Sequence, residues 1–360
     1  MLNKLVVFLA ILAIANLFAQ NVDKGKISGE AFIDYFYNIS RDSLHSALAN
    51  TGLKGVRDLN GFEFRRITFT YDYEFSDKFQ TRVRFEGNQA STTGSTTNVF
   101  IKDLSLKWKN IFDGNDLIFG IQPPPSFEVS ESYWQFRSLE KTIMDLRNVA
   151  ASRDMGIALK GKLDNDALFN YWIMFANNSN LGAETDKYKR AYAHLNLAPA
   201  KNINITIYGD YKFRSKFSVQ NSNNQTITFN NDVITTAVFM GIKDVDYSFG
   251  AEGFYQVTKN GYKLTSATGS SYNNLNGFGL SLFGNYQIFE KINLLGRFDY
   301  FDPNSKTDYD SRNFVVLGLS FLAEKNIRVI PNILLETYEK SSTYSFDPSL
   351  TGRITIYFAY

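Results

Sequence analysis

From Lys26 to Tyr360 the chain is a succession of short segments in which apolar and polar residues alternate. A period of two sends successive side chains to opposite faces of a pleated strand. A chain built this way must make a sheet whose two faces meet different surroundings. The clearest case is residues 66–75, where Ile67, Phe69, Tyr71, Tyr73 and Phe75 alternate with Arg66, Thr68, Thr70, Asp72 and Glu74. After Ser76, Asp77 and Lys78, a second run sets Phe79, Thr81, Val83 and Phe85 against Gln80, Arg82, Arg84 and Glu86. Ile203, Ile205 and Ile207 oppose Asn204, Thr206 and Asp210 in the same manner. Runs around Leu104, Val238 and Leu317 are apolar on both faces or change phase.

Such runs number about 16, with centres at Ile33, Thr70, Arg84, Leu104, Phe119, Ala158, Tyr171, Ala193, Ile207, Val238, Gly250, Leu282, Gly296, Leu317, Ile333 and Ile356. Their connections alternate in length. Residues 38–60, 89–98, 123–152, 178–186, 215–231, 259–274, 302–311 and 340–349 read as long polar loops, and 76–78, 164–166, 199–202, 243–246 and 324–326 as tight turns. Short turns at one end and long loops at the other are the plan of outer-membrane barrels, and a soluble sandwich has no reason to keep it. Phe and Tyr number 32 and 21, yet the mean hydropathy is −0.23. An alternating wall with one face in lipid and one in water averages out in this way. The expected fold is all-β: a transmembrane antiparallel barrel of about 16 strands.

Residues 1–19 read as a secretory signal, with Lys4 before an apolar run and Ala19 before Gln20. That run is too short for a spanning helix. Residues 20–360 then form one barrel domain. The last strand places Tyr360, Phe358, Ile356 and Ile354 on one face, as in substrates of the outer-membrane assembly machinery. The absence of cysteine excludes disulfides and thiolate chemistry, and a net charge of +2 gives no footprint for nucleic acid. His45 and His194 are the only histidines, and no Ser, His and carboxylate signature accompanies them. Gly277 and Gly279 lack the third glycine of a dinucleotide loop, and the acidic loop from Asp302 to Asp310 lacks the central Gly and final Glu of an EF-hand. An enzyme, a cofactor and a metal site are therefore not expected.

One long stretch breaks the rhythm. Pro123, Pro124 and Pro125 remove three backbone donors and must end the preceding strand. The residues that follow mix Phe127, Tyr133, Trp134 and Phe136 with charges of both signs. So long an apolar-rich loop is expected to be functional. It is the third long loop, and residues 123–152 are expected to fold inward as a constriction. Leu139, Ile143 and Leu146 share one helical face and would anchor it. The candidate constriction residues are Glu128, Glu131, Arg137, Glu140, Lys141, Asp145, Arg147, Arg153 and Asp154; Arg66, Arg82, Arg84, Lys160, Lys162, Arg190, Lys212 and Arg214 are the candidate pore wall.

Two stretches carry a resemblance. One is Phe64-Arg65-Arg66-Ile67 leading through Tyr73-Glu74-Phe75-Ser76-Asp77-Lys78-Phe79 to Arg82-Val83-Arg84-Phe85-Glu86. The other is Phe119-Gly120-Ile121-Gln122-Pro123-Pro124, then Arg153-Asp154-Met155-Gly156-Ile157. Together they resemble the phosphate-selective porin family (porins O and P). The resemblance implies a 16-stranded barrel, a homotrimer and an inward third loop passing small hydrophilic solutes, with outer-membrane lipid and lipopolysaccharide as surroundings. Phosphate selectivity would need an excess of Arg and Lys along the path. The lumen face instead carries both signs in near balance, which suits a general porin, or opposed walls that orient dipolar solutes. The alternative is a non-conducting surface barrel whose long loops bind a partner.

Overall fold

The computed structural model describes residues 24–42, 53, 55–89, 97–220, 224–266, 269–340 and 346–360. The proposed signal segment and His45 lie outside the described residues. Eighteen strands follow in order: β1 (Gly25–Ser40), β2 (Asn60–Glu74), β3 (Phe79–Asn88), β4 (Asn98–Phe112), β5 (Asn115–Gln122), β6 (Asp154–Lys162), β7 (Phe169–Ala176), β8 (Arg190–Ala200) and β9 (Ile203–Lys212). Then come β10 (Phe217–Gln220), β11 (Thr226–Phe229), β12 (Val233–Lys243), β13 (Tyr247–Ser266), β14 (Gly269–Phe289), β15 (Ile292–Asp302), β16 (Arg312–Glu324), β17 (Ile327–Tyr338) and β18 (Ser349–Ala359).

Sixteen of them close into one antiparallel barrel, with β9 pairing directly to β12. Every expected strand centre falls in a different barrel strand. Closure is made by β1 and β18, from Glu30 opposite Ala359 to Ser40 opposite Leu350. Gly29 and Tyr360 then exchange both backbone hydrogen bonds, at 2.9 and 3.0 Å. With no free edge, every barrel strand is paired on both sides, as a lipid core requires.

Two long loops expected from the sequence are strand instead. Residues 215–231 contain the β10–β11 hairpin, in which Phe217 stacks on Phe229 with ring centroids 5.5 Å apart. Both rings also pack against Tyr272 of β14. Residues 259–274 continue the ladder of β13 and β14, which run to 20 and 21 residues. A tilted spanning strand needs about 9–11, so this pair projects well past the barrel at its long-loop end. Asn- and Thr-rich composition hid both ladders.

The outward face is the expected apolar one. Ile67, Phe69, Phe119, Ile173, Ile207, Leu282, Phe298, Ile333 and Ile356 are all exposed on it. Near the short-turn end it becomes aromatic, with Tyr71, Phe75, Trp108, Tyr286, Phe289 and Tyr360 exposed. Such a girdle marks a membrane boundary.

The inward face has two regions. From β12 to β17 it carries a broad apolar patch, with Phe239, Phe254, Phe283, Leu295, Phe301, Phe314, Val316, Ile330 and Leu334 all buried, interrupted by buried polar groups such as Glu252, Arg297 and Glu336. This explains why the runs at Val238 and Leu317 read as apolar on both faces: one side meets the outer belt and the other meets the third loop. The phase change near Leu104 has a different cause, a bulge at Lys102.

Candidate functional site

The third loop folds into the barrel and covers the apolar wall. The prolines end β5, and a turn closed by the Ser126 N–H to the Pro124 carbonyl at 2.9 Å leads into the helix Glu128–Trp134. Gln135 stops that helix in the left-handed region, with φ of 60°. A single helical turn, Ile143–Leu146, follows. Tyr133, Trp134, Phe136, Leu139, Ile143, Met144, Leu146 and Val149 are buried beneath the loop. Trp134 meets Phe283 edge to face at 5.6 Å, and Tyr133 meets Phe239 at 5.2 Å. The wall makes room with glycine: a Cβ on Gly241 would lie 2.6 Å from the Tyr133 ring, and one on Gly279 would lie 2.9 Å from Ile143. Full burial of one large apolar side chain stabilises by about 1.5–3 kcal/mol. Eight such side chains make the seated loop part of the folded core. The aromatics pack beneath the loop, beside the Leu139, Ile143 and Leu146 anchors expected from their spacing.

Polar side chains of the wall then pin the loop backbone. Arg65 donates to the Ser138 carbonyl and Arg353 to that of Leu139. Arg297 donates to the Lys141 carbonyl, while Arg190 and Gln256 donate to that of Val149. Ser248 Oγ donates to the Tyr133 carbonyl at 2.7 Å, and His194 Nδ1 lies 3.2 Å from the Pro125 carbonyl. Ser130 Oγ reaches the buried Glu252 at 3.0 Å. Several wall cations therefore spend their donors on the loop rather than on the opening.

This sorts the candidate constriction residues. Glu128 and Lys141 are exposed, and Glu131, Arg137, Glu140 and Arg153 are half-buried. Three others do not face the opening as expected. Arg147 is fully buried against Glu336 at 2.7 Å, between the rings of Phe301 and Phe314. Asp145 lies buried beneath Arg137, 2.8 Å away. Asp154 is fully buried, accepting from Tyr192 Oη at 2.7 Å and from the Asn178 N–H at 2.9 Å. Each lies where the loop meets the wall, so packing claims it.

The candidate wall residues divide in the same way. Arg66, Arg82, Arg84, Lys160 and Lys162 lie on the inward face and keep partial exposure. Arg190 is buried, bound bidentately to Asp210 and to the loop, so it is a structural clamp. Lys212 stands half-buried opposite it. Arg214 lies past the end of β9, its N–H donating to Asp232, and so belongs to the long-loop end rather than the wall.

Two inward cations, Arg65 and Lys102, escape a strict alternation. Phe32 pairs with Arg66 and Ile33 with Phe64, leaving Arg65 as a bulge. Arg84 pairs with Asp103 and Phe85 with Ile101, leaving Lys102 as another. A bulge sets two successive residues against one and re-aims a side chain. Here it turns Arg65 and Lys102 inward, beside Asp34 and Glu86 respectively. The available signal was two adjacent charged residues inside an alternating run.

The resulting opening has unlike sides. On β2–β4, Glu86 is shared by Arg66 at 3.2 Å and Lys102 at 3.6 Å. Asp103 is shared by Arg84 at 3.3 Å and by Arg153 from the end of the loop. Both carboxylates are buried, so four cations cover two acids on this wall. Facing it, the loop presents Glu128, and Glu131 holds Arg137 at 2.6 Å. The cations whose charge bears on Glu128 are Lys160, Arg153 and Arg82. Below the loop lies an open cavity of about 420 Å³ that includes Asp116, Glu128, Lys160, Lys162, Asn170, Trp172 and His194 in its lining.

A closed antiparallel barrel of this kind is also what solved structures share. The outer membrane channel DcaP of Acinetobacter baumannii superposes with a TM-score of 0.63 at 12% identity, covering 93% of this chain and 97% of that one. This chain has the porin fold. The anion-selective porin from Comamonas acidovorans gives 0.61 at 11% identity over 93% and 99% of the two chains. OmpT of Vibrio cholerae, expressed in the outer membrane, gives 0.60 at 12% over 93% and 97%. No protein-family profile matches the sequence, and no curated protein does. At such identities the porin likeness speaks for the fold alone.

Proposed function

We propose that this chain is a porin of the bacterial outer membrane, a passive water-filled channel for small hydrophilic solutes. Residues 123–152 narrow it, and residues 1–19 are the signal that sends it across the inner membrane. One observation carries the reading: the loop is seated on an apolar inner wall, so the remaining opening lies between a basic wall and an acidic loop. Diffusion then requires no reaction chemistry from any side chain. The pore supplies width and a transverse field, in which Arg66, Arg84, Lys102 and Arg153 stand opposite Glu128 and Glu131. Charges of both signs at one level favour orientation of dipolar solutes over strong ion selectivity. A phosphate preference would need the loop face to be basic as well, and it carries Glu128, Glu131 and Glu140 beside Arg137 and Lys141. A homotrimer in a lipopolysaccharide-bearing membrane, inserted by the outer-membrane assembly machinery, is the setting we propose for it.

The test is conductance of the purified barrel in a planar bilayer under a KCl gradient. Discrete open-channel steps with a small reversal potential are expected. A large potential of the anionic sign would restore phosphate-type selectivity. Folded barrels that never conduct would favour a surface-binding role for the projecting β13–β14 ladder and the β10–β11 hairpin.

A further inference from the structure

Most inward charges around the opening already have partners. Arg66 and Lys102 share Glu86, Arg84 and Arg153 share Asp103, and Arg137 is held between Glu131 and Asp145. Glu128 and Lys160 differ: among the described residues neither has an oppositely charged group within 4.0 Å. Glu128 is exposed at the start of the loop helix. The Lys160 ammonium lies over the Trp172 ring, 4.3 Å from its centroid, which fixes its position without neutralising it. Both line the same cavity of about 420 Å³, and Lys160 is the cation acting most strongly on Glu128. A carboxylate and an ammonium thus line one cavity without touching, with Asp116 opposite Lys160 in the β5–β6 ladder.

Resting on the channel reading above, we propose that this cavity is a binding station for small zwitterions of amino-acid or dipeptide size. The solute ammonium is received by Glu128 and its carboxylate by Lys160. Lys162 adds a second cation and Val129 an apolar contact to the same cavity, whereas Asp116 is already met by Lys107 at 3.9 Å and the Asn196 amide is spent on Asn204 and Thr206. A solute with one charge satisfies one side and leaves the other unpaired. A zwitterion satisfies both while adding no net charge to the pore.

The probe is L-alanyl-L-alanine, titrated calorimetrically into the purified, detergent-held barrel. It is compared with the N-acetylated dipeptide, which keeps only the carboxylate, and the dipeptide amide, which keeps only the ammonium. The expected result is saturable binding of the free dipeptide, with each blocked form weaker by about fivefold, the value of one partly exposed ion pair. Glu128→Gln and Lys160→Gln should each weaken the free dipeptide to a similar degree. The exchanged pair Glu128→Lys with Lys160→Glu should recover binding, with the solute reversed. Circular dichroism confirms that each variant is folded, and the blocked peptides need no variant at all. Equal affinity for a blocked form, indifference to both substitutions, or no binding of the free dipeptide would overturn the proposal. Conductance separates the two claims. Open channels without dipeptide binding would remove the station and keep the pore; binding without conductance would do the reverse.

Discussion

At the scale of single residues, the buried charges hold the loop in place. Arg147 and Glu336 are wholly out of solvent and have each other as partners. Removing one member of such a pair strands the other, at a cost of about 3–5 kcal/mol, whereas replacing both by apolar groups is near neutral. Glu336→Gln should therefore lower the urea midpoint strongly, while Arg147→Met with Glu336→Leu recovers most of the loss. A single substitution costing under about 1 kcal/mol would show that the pair does not hold the loop. A second residue-scale effect lies outside the membrane, in the connection before β16. Burial there, reinforced by the charges of Asp302 and Glu339 and opposed by Arg312, pushes the Asp310 carboxyl up to about 6 from an ordinary 3.8. The folded state binds that proton more tightly than the unfolded chain does. Its stabilisation is complete below the ordinary value and is lost as pH rises through about 6. The thermal midpoint of the native protein should fall across this window, and that of Asp310→Asn should fall less. Equal slopes would mean that Asp310 is not the group responsible.

At the scale of elements, the third loop and the wall beneath it are one packed unit. Trp134 has no exposed surface and meets Phe283 and Phe136. Truncation to alanine should cost about 3–5 kcal/mol, read from the unfolding midpoint. Deleting residues 126–149 would bare Phe239, Phe254, Phe283 and Phe314 to water. The shortened barrel should conduct more and unfold earlier; unchanged stability would contradict the packing seen here. These elements were unequally legible in the sequence. Alternation located the barrel strands because one face meets lipid and the other does not. Prolines marked the loop, and the spacing of Leu139, Ile143 and Leu146 marked its anchors. Alternation alone gives a residue's face only while the register is regular, so it cannot place Arg65 and Lys102, which depend on the neighbouring strand. Nor does polarity tell a loop from a projecting ladder: β10 and β11 are four residues each in an Asn-, Ser- and Thr-rich stretch, and the far ends of β13 and β14 are largely polar. Arg147 and Asp154 show the same limit in the site. A charge in a pore loop can face the passage or the wall, and only packing decides.

At the scale of the whole molecule, closure and asymmetry act together. The closed ladder permits a lipid-facing belt, and the apolar inner wall draws the loop to one side. On the channel reading proposed above, the passage is left against the basic strands β2–β4. The chain contains no cysteine, so one introduced thiol can be labelled without background. Glu131→Cys places that thiol on the loop side of the narrowest region, and Phe278→Cys places one on the outer face as a control. The decisive measurement is single-channel current before and after a bulky, water-soluble thiol reagent is added to the bilayer chamber. A sharp drop in current for Glu131→Cys, with none for Phe278→Cys, is the predicted result. Full labelling of Glu131→Cys with the current unchanged would contradict a passage running between the third loop and the basic wall.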